Sequence, residues 1–307
     1  MECRKTMLTT IDGRTILTEI IVRIAGKSQD GVQVIGKLLA SQTGMNEMGV
    51  ITWQTYPATI TGGESVFQVH IGSKIVKSSG DECDILVAFY EDSYRDNIEY
   101  LKPRGAVIYD SDEFTPPASD KSKYTLVPLP MSSLTIRTLG GSAGGKGKNM
   151  VLLGYLSKLL GFDEARLFEK LKAKFLPKGE TVFQNVRNVF SVGMAYDTGS
   201  QLRRILLAHD PTVKNRKNQV TMNGNTALTY GIITAGIRFG SAYPITPATS
   251  VMEELRELLP RFGGMMIQAE DEIAAIAMAL GASFGGRPAV TSTSGPGLSL
   301  KMEALGW

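Results

Sequence analysis

The chain has 307 residues, 43% of them hydrophobic and 21% charged, which suits one large globular domain or two ordinary ones. A net charge of +3, with no basic stripe interleaved with aromatics, excludes nucleic-acid binding as its main task. Its two cysteines (Cys3, Cys83) and two histidines (His70, His209) share no ligand spacing, which excludes a four-cysteine iron–sulfur cluster or a mixed zinc site held by this chain and fits a reducing cytoplasm.

Met1 to Ile21 carries no apolar segment of the kind that directs secretion. Glu19 to Ala25 is a β-branched run that predicts a strand. Gly26 to Gly31 reads as a turn. Val32 to Leu39 reads as a helix with Val32, Ile35, Leu38 and Leu39 on one face. Thr52 to Tyr56 and Ser65 to Ile71 read as strands around the loop Thr61-Gly62-Gly63-Glu64. Asp84 to Phe89 predicts a buried strand, Glu91 to Tyr100 a polar helix, and Ala106 to Tyr109 another strand. This alternation predicts an α/β fold whose sheet is mostly parallel. Lys148 to Leu160 reads as an amphipathic helix closed by Gly161, and its apolar run is too short to span a bilayer. Helices are predicted at 162–175 and 180–196.

Residues 197–222 turn polar and basic and read as a linker between two domains, 1–196 and 223–307. A second α/β pattern then begins. Thr226 to Ala235 predicts a helix and Phe239 to Tyr243 a strand. Ser250 to Leu259 predicts a helix with a capping box, Ser250-x-x-Glu253. A strand at Gly264 to Gln268, a helix at Asp271 to Phe284 and a strand at Ala289 to Ser292 complete it.

Several motifs carry chemistry. Gly26-Lys27-Ser28-Gln29-Asp30-Gly31 is either a turn whose N–H groups cradle an anion or a tight turn with no ligand. Gly140 to Gly147 nearly matches a nucleotide-binding loop, but Gly147 stands where a hydroxyl would hold Mg²⁺, so a flexible glycine loop is the expectation. In Tyr243-Pro244-Ile245-Thr246-Pro247, Pro247 suits the first helical position and Thr246 the N-cap before it. That hydroxyl is a plain cap or, beside free N–H groups, a carboxylate site. Glu270-Asp271-Glu272 opens an alanine-rich helix, where acids complement the dipole and small residues let a backbone or a flat ligand come close. Thr293-Ser294-Gly295-Pro296-Gly297 reads as a turn after a short strand.

GNTA (Gly224 to Ala227), YPITP, IQAEDEIAAIAMALGASF (Ile267 to Phe284) and TSTSGPGLSLKMEALG (Thr291 to Gly306) together resemble the α subunit of 2-oxoacid:ferredoxin oxidoreductases. IVRIAGKSQDGVQVIGKLLA (Ile21 to Ala40), ITGGESVFQVHIG (Ile60 to Gly72), CDILVAFYEDSY (Cys83 to Tyr94), LKPRGAVIYDSD (Leu101 to Asp112) and KNMVLLGYL (Lys148 to Leu156) resemble that family's γ domain, which many members fuse ahead of α.

The resemblance implies a γ-type α/β domain followed by an incomplete thiamine-diphosphate-binding, pyrimidine-type α/β domain. It implies coenzyme A-dependent oxidative decarboxylation of a 2-oxoacid, with 2-oxoglutarate favoured. Glu272 is similar in place to the glutamate that bonds the aminopyrimidine ring and favours the tautomer that deprotonates the thiazolium carbon. Thr246 matches the threonine that contacts the substrate carboxylate. Tyr243 lies beside it, and Thr293, Ser294 and Gly295 line the same cavity. Gly26 and Gly31 are candidates for a coenzyme A or anion turn. Mg²⁺ and the iron–sulfur cluster are expected on a β subunit, in an α2β2-like cytoplasmic hetero-oligomer that passes electrons to ferredoxin without a membrane. Family α subunits continue beyond MEALGW, so a truncated or partial chain is expected. The competing expectation is a non-catalytic assembly or regulatory partner that keeps the γ domain.

Overall fold

The computed structural model describes residues 9–11, 14–55, 63–141, 146–199, 202, 205–207 and 219–307. The chain divides into two compact units, Met1–Thr221 and Met222–Trp307. Among the described residues no helix is long and apolar enough to cross a membrane.

The first unit runs β1 (Thr9–Ile11), β2 (Arg14–Leu17), β3 (Glu19–Lys27), α1 (Val32–Met45), β4 (Gly49–Gln54), β5 (Glu64–Gly72), β6 (Cys83–Ala88), α2 (Glu91–Arg95), β7 (Leu101–Asp110), β8 (Thr125–Leu129), α3 (Met131–Leu139), α4 (Lys148–Leu160), α5 (Glu164–Phe175), α6 (Glu180–Ala195) and β9 (Ile205–Leu207). Its main sheet has the order β4-β5-β3-β6-β7-β8. The pairs β3–β6, β6–β7 and β7–β8 are parallel, whereas β5 is antiparallel to both β3 and β4. Side chains alternate across β3. Ile20, Val22 and Ile24 enter the larger core beneath α1 and α4, and Ile21 enters the smaller core on the other face.

The sheet is mostly parallel, as expected: three of its five pairings are parallel and β5 alone runs against its neighbours. Three expectations change here. The polar helix predicted at 91–100 stops at Arg95, and a short 3₁₀ turn follows at Ile98–Tyr100. Asn97 sits between them. It donates to Ser93 O at 2.9 Å and Glu64 Oε1 at 2.7 Å, and it accepts from Arg23 Nε at 2.9 Å. Within the expected linker, β9 pairs parallel with β2. Strand β8 and helix α3 were not anticipated, and α3 is capped from outside its own segment. Asp110 Oδ1 accepts from Met131 N at 3.1 Å, and Asp112 Oδ2 from Ser133 N at 2.7 Å. The C-cap Gly161 adopts φ 68°, as its sequence position predicts.

The second unit runs α7 (Gly224–Thr234), β10 (Phe239–Ala242), α8 (Thr249–Leu258), β11 (Met265–Gln268), α9 (Glu272–Phe284), β12 (Ala289–Val290) and α10 (Gly295–Leu300). Its sheet is parallel, in the order β11-β10-β12. Ile232, Ile233, Val251, Leu255 and Leu259 form its core. Ser241 on β10 donates to Ala275 O on α9 at 2.6 Å, which seats that helix on the sheet.

A buried glutamate beneath a glycine cradle

Asp271 is the N-cap of α9, and its Oδ1 accepts from Ala274 N at 2.7 Å. Glu272 is therefore the first helical residue. Glu270 and Asp271 are exposed, while Glu272 is only 6% exposed. The three acids share a dipole environment but not a solvent environment. Only the third is held where a ligand would meet it out of bulk water.

The wall facing Glu272 comes from α10. A Cβ on Gly297 would lie 2.8 Å from Glu272 Oε1 and would also collide with Thr293 Oγ1. The absence of a side chain at 297 thus keeps a gap beside the carboxylate. Thr293 Oγ1 is buried and has no hydrogen-bond partner. An orphaned hydroxyl, a buried acid and a gap that one carbon would fill make a site that fits a flat, hydrogen-bonding ring.

The Tyr243 to Pro247 segment is held from two sides. Ser294 Oγ donates to Thr246 O at 2.9 Å. Asn225 Nδ2, near the start of α7, donates to Pro247 O and to Ser250 Oγ, each at 2.8 Å. Thr226 Oγ1 adds a bond to Glu254 Oε1 at 2.7 Å. Tyr243 and Thr246 are both exposed.

Three local expectations are corrected here. Thr246 is not an N-cap: a turn at 246–248 intervenes, Ile245 O accepts from Thr249 N at 3.0 Å, and Ala248 caps α8 without a side-chain bond. Ser250 does not form a capping box, because it lies inside α8 and its hydroxyl accepts from Asn225. The Gly-Pro-Gly segment is not a free turn. It opens α10, with Gly295 at φ 35° and nothing within 4 Å of its missing side chain. Asn225, which ties the Tyr243 to Pro247 segment to α7, is the residue that sequence reasoning did not single out; the available signal was an amide just past a helix cap.

The first unit has an open pocket of ≈ 490 Å³ lined by Asp30, Tyr90, Glu113, Lys146, Lys148 and Asn149. Residues 142–145 of the glycine loop lie outside the described residues. Lys148 is 8% exposed, donates to Tyr90 Oη at 3.0 Å and lies 3.4 Å from Glu113, 3.8 Å from Asp110 and 3.9 Å from Asp30. Burial pushes the Asp110 carboxyl up to about 6, against the pull of its backbone hydrogen bond from Asp112 and the charge of Lys148. Burial lowers the Lys148 ammonium, but its bond to Tyr90 and the charge of Asp30 outweigh this and leave it raised. The Gly26 to Gly31 turn is packed rather than open. A Cβ on Gly26 would meet Phe89 at 2.9 Å, and Gly31 has φ 72° with Asn149 against it. The N–H of Lys27 goes to Asp30 Oδ2 at 2.8 Å and that of Ser28 to Gly63 O at 3.0 Å. Cys83 is fully buried, and that burial drives its thiol up to about 12.

The chain thus presents two α/β units, the second with a shielded acid at the head of a helix. Residues 21–196 match the family model "Pyruvate ferredoxin/flavodoxin oxidoreductase", and 230–307 match its thiamine-diphosphate-binding counterpart, "Pyruvate flavodoxin/ferredoxin oxidoreductase, thiamine diP-bdg". The chain belongs to the pyruvate ferredoxin/flavodoxin oxidoreductase family. It is 35% identical to the 2-oxoglutarate oxidoreductase subunit KorA of Mycobacterium tuberculosis, over 95% of this chain and 49% of that protein. A stretch of 86 residues, 28% of this chain and 24% of the relative, is 52% identical to the 2-oxoglutarate synthase subunit KorA of Methanocaldococcus jannaschii. The structure is similar to the 2-oxoglutarate:ferredoxin oxidoreductase from Magnetococcus marinus, solved with 2-oxoglutarate, coenzyme A and succinyl-CoA bound. The TM-score is 0.76 and the identity 36%, covering 92% of this chain and 49% of that one. The chain spans about half the length of these two longer relatives.

Proposed function

We propose that this chain is a fused γ/α subunit of a thiamine-diphosphate-dependent 2-oxoacid:ferredoxin oxidoreductase. The enzyme converts a 2-oxoacid and coenzyme A to acyl-CoA and CO₂ and passes the electrons to ferredoxin. The observation that carries this reading is Glu272, buried at the head of α9 beside the space that Gly297 leaves. When bound, the cofactor supplies the electron sink for decarboxylation. The residues of this chain bind, orient and exclude water. Glu272 would hold the cofactor's aminopyrimidine through its buried carboxylate and supply an acid–base group there, and the free Thr293 hydroxyl would complete that wall. Thr246, gripped through its carbonyl by Ser294, and Tyr243 present the 2-oxoacid carboxylate, and Gly295 lines the same mouth.

The favoured substrate is 2-oxoglutarate, since relatives similar along nearly this whole chain carry that name. Mg²⁺ and the iron–sulfur cluster belong to a β subunit in an α2β2-like cytoplasmic complex. In the first unit, coenzyme A fits the pocket around Lys146, Lys148 and Asn149 better than the Gly26 to Gly31 turn, two of whose N–H donors are already used. The alternative of a non-catalytic partner gives no reason to keep the Glu272 cradle intact.

The test is coexpression of the full-length chain with its β subunit, followed by CO₂ release from 2-oxoglutarate and from pyruvate with added thiamine diphosphate. Turnover with 2-oxoglutarate that requires coenzyme A and reduces ferredoxin is expected. Assembly without decarboxylation of either acid would reject the enzyme reading.

A further inference from the structure

Lys148 is buried yet lines the first unit's pocket, beside Asp30, Tyr90 and Glu113, which follow the carboxyl ends of the parallel strands β3, β6 and β7. Three carboxylates lie within 3.9 Å of its ammonium, but they are not equivalent. Asp110 is wholly buried and accepts from Met131 N at 3.1 Å and Asp112 N at 3.2 Å. Asp30 accepts from Lys27 N at 2.8 Å and from Tyr90 Oη at 2.9 Å. Glu113 differs. Its side chain is 37% exposed, and among the described residues its carboxylate bonds to Lys148 alone, at 3.4 Å. Tyr90 Oη takes a second of the ammonium's three donors, at 3.0 Å.

We propose that Glu113 competes with an anionic ligand group for Lys148, and so sets how tightly the pocket holds a phosphate. The proposal rests on the reading that coenzyme A occupies this pocket, and it names a phosphate of that molecule as the group Lys148 takes. Asp30 and Asp110 already offset the lysine's charge, so a further anion beside all three carboxylates meets net repulsion. Neither of those two can leave, because their oxygens hold backbone N–H groups that would otherwise be left unpaired. Glu113 can leave. A half-exposed ion pair contributes little, and rotation about its own bonds carries the carboxylate into water. That single movement removes one negative charge and frees one donor of Lys148. Lys146, exposed on the same pocket, adds a second cation.

The experiment uses the full-length chain assembled with its β subunit. Glu113→Gln and Lys148→Gln are each compared with the natural protein. Calorimetry reads the dissociation constant of coenzyme A, and competition against it reads that of pantetheine, which carries no phosphate. Glu113→Gln removes the charge and keeps the length. It is expected to tighten coenzyme A about three- to fivefold, the scale of a half-exposed ion pair. Pantetheine should bind this variant and the natural protein alike. Lys148→Gln should weaken coenzyme A roughly tenfold or more, as expected for a lost hydrogen bond to a charged group.

Unchanged or weaker coenzyme A binding in Glu113→Gln, with the loss in Lys148→Gln intact, would overturn the competition alone. Equal tightening of coenzyme A and pantetheine would also overturn it, since Glu113 would then act on the shape of the pocket rather than on a phosphate. Natural affinity in both variants would instead overturn the placement of coenzyme A in this pocket. Lys148→Gln leaves two buried carboxylates without their cation. If it does not fold, Lys146→Ala takes its place as the test of the placement, and Glu113→Gln decides the competition as before.

Discussion

Ser294 donates its hydroxyl to the backbone carbonyl of Thr246 at 2.9 Å, joining two motifs 48 positions apart in the sequence. Ser294 is the N-cap of α10 yet makes no capping bond with its side chain. Its hydroxyl is spent on the neighbouring loop instead, so the start of α10 and the Tyr243 to Pro247 segment are held as one piece.

Replacing Ser294 by Ala should therefore act on substrate binding before it acts on the fold. A net hydrogen bond of about 1 kcal/mol predicts a rise of roughly three- to tenfold in the KM for 2-oxoglutarate. Steady-state kinetics of the assembled enzyme, with the KM for coenzyme A as the internal control, reads this directly. A change confined to coenzyme A would contradict the assignment of Thr246.

Gly297→Ala places a carbon 2.8 Å from Glu272 Oε1 and against Thr293 Oγ1. Overpacking of this kind costs about 1–3 kcal/mol. Calorimetry should show weaker binding of thiamine diphosphate together with a lower unfolding temperature. Unaltered affinity in a folded variant would mean that the cradle is not the cofactor's seat.

Glu272→Gln keeps the shape and removes the exchangeable acid. Turnover of the assembled complex should fall by roughly 100-fold or more, as expected for loss of a positioned acid–base group. Size-exclusion chromatography should show the complex still assembled. Near-normal turnover would remove Glu272 from the mechanism.

Asp110 links stability to pH. Its carboxyl is raised in the folded state to about 6 from an ordinary value of 3.8. The folded chain therefore holds this proton more tightly than the unfolded chain. The resulting stability is fully present below the unfolded value and is lost as pH rises through about 6, amounting to about 3 kcal/mol. Denaturant titrations of the natural protein and Asp110→Asn between pH 4 and 7 should differ by a slope in that window. Asn keeps an oxygen for the Met131 N–H, so parallel pH profiles would show that Asp110 does not titrate there.

Much of the architecture was legible locally. β-Branched runs placed β3, β5 and β6, the periodicity of 148–160 placed α4, and Gly161 ended it with the backbone angle that glycine permits. Local reading failed where a partner came from elsewhere in the chain. Helix α3 draws its caps from Asp110 and Asp112, α2 ends because Asn97 is drawn into a network with Arg23 and Glu64, and Ser250 answers to Asn225 rather than to its own helix.

The same division runs through the site. That an acidic trio heads a helix of small residues, and that a threonine sits between two prolines, can be read from neighbours along the chain. The family resemblance already pointed to Glu272 among the three acids; tertiary packing adds that Glu272 is the one that is buried. Packing α10 against α9 buries Glu272, leaves Glu270 and Asp271 in water, and brings Gly297 to that carboxylate with Thr293 beside it. Burial and through-space charge depend on where distant segments pack, and neither is written in the local pattern.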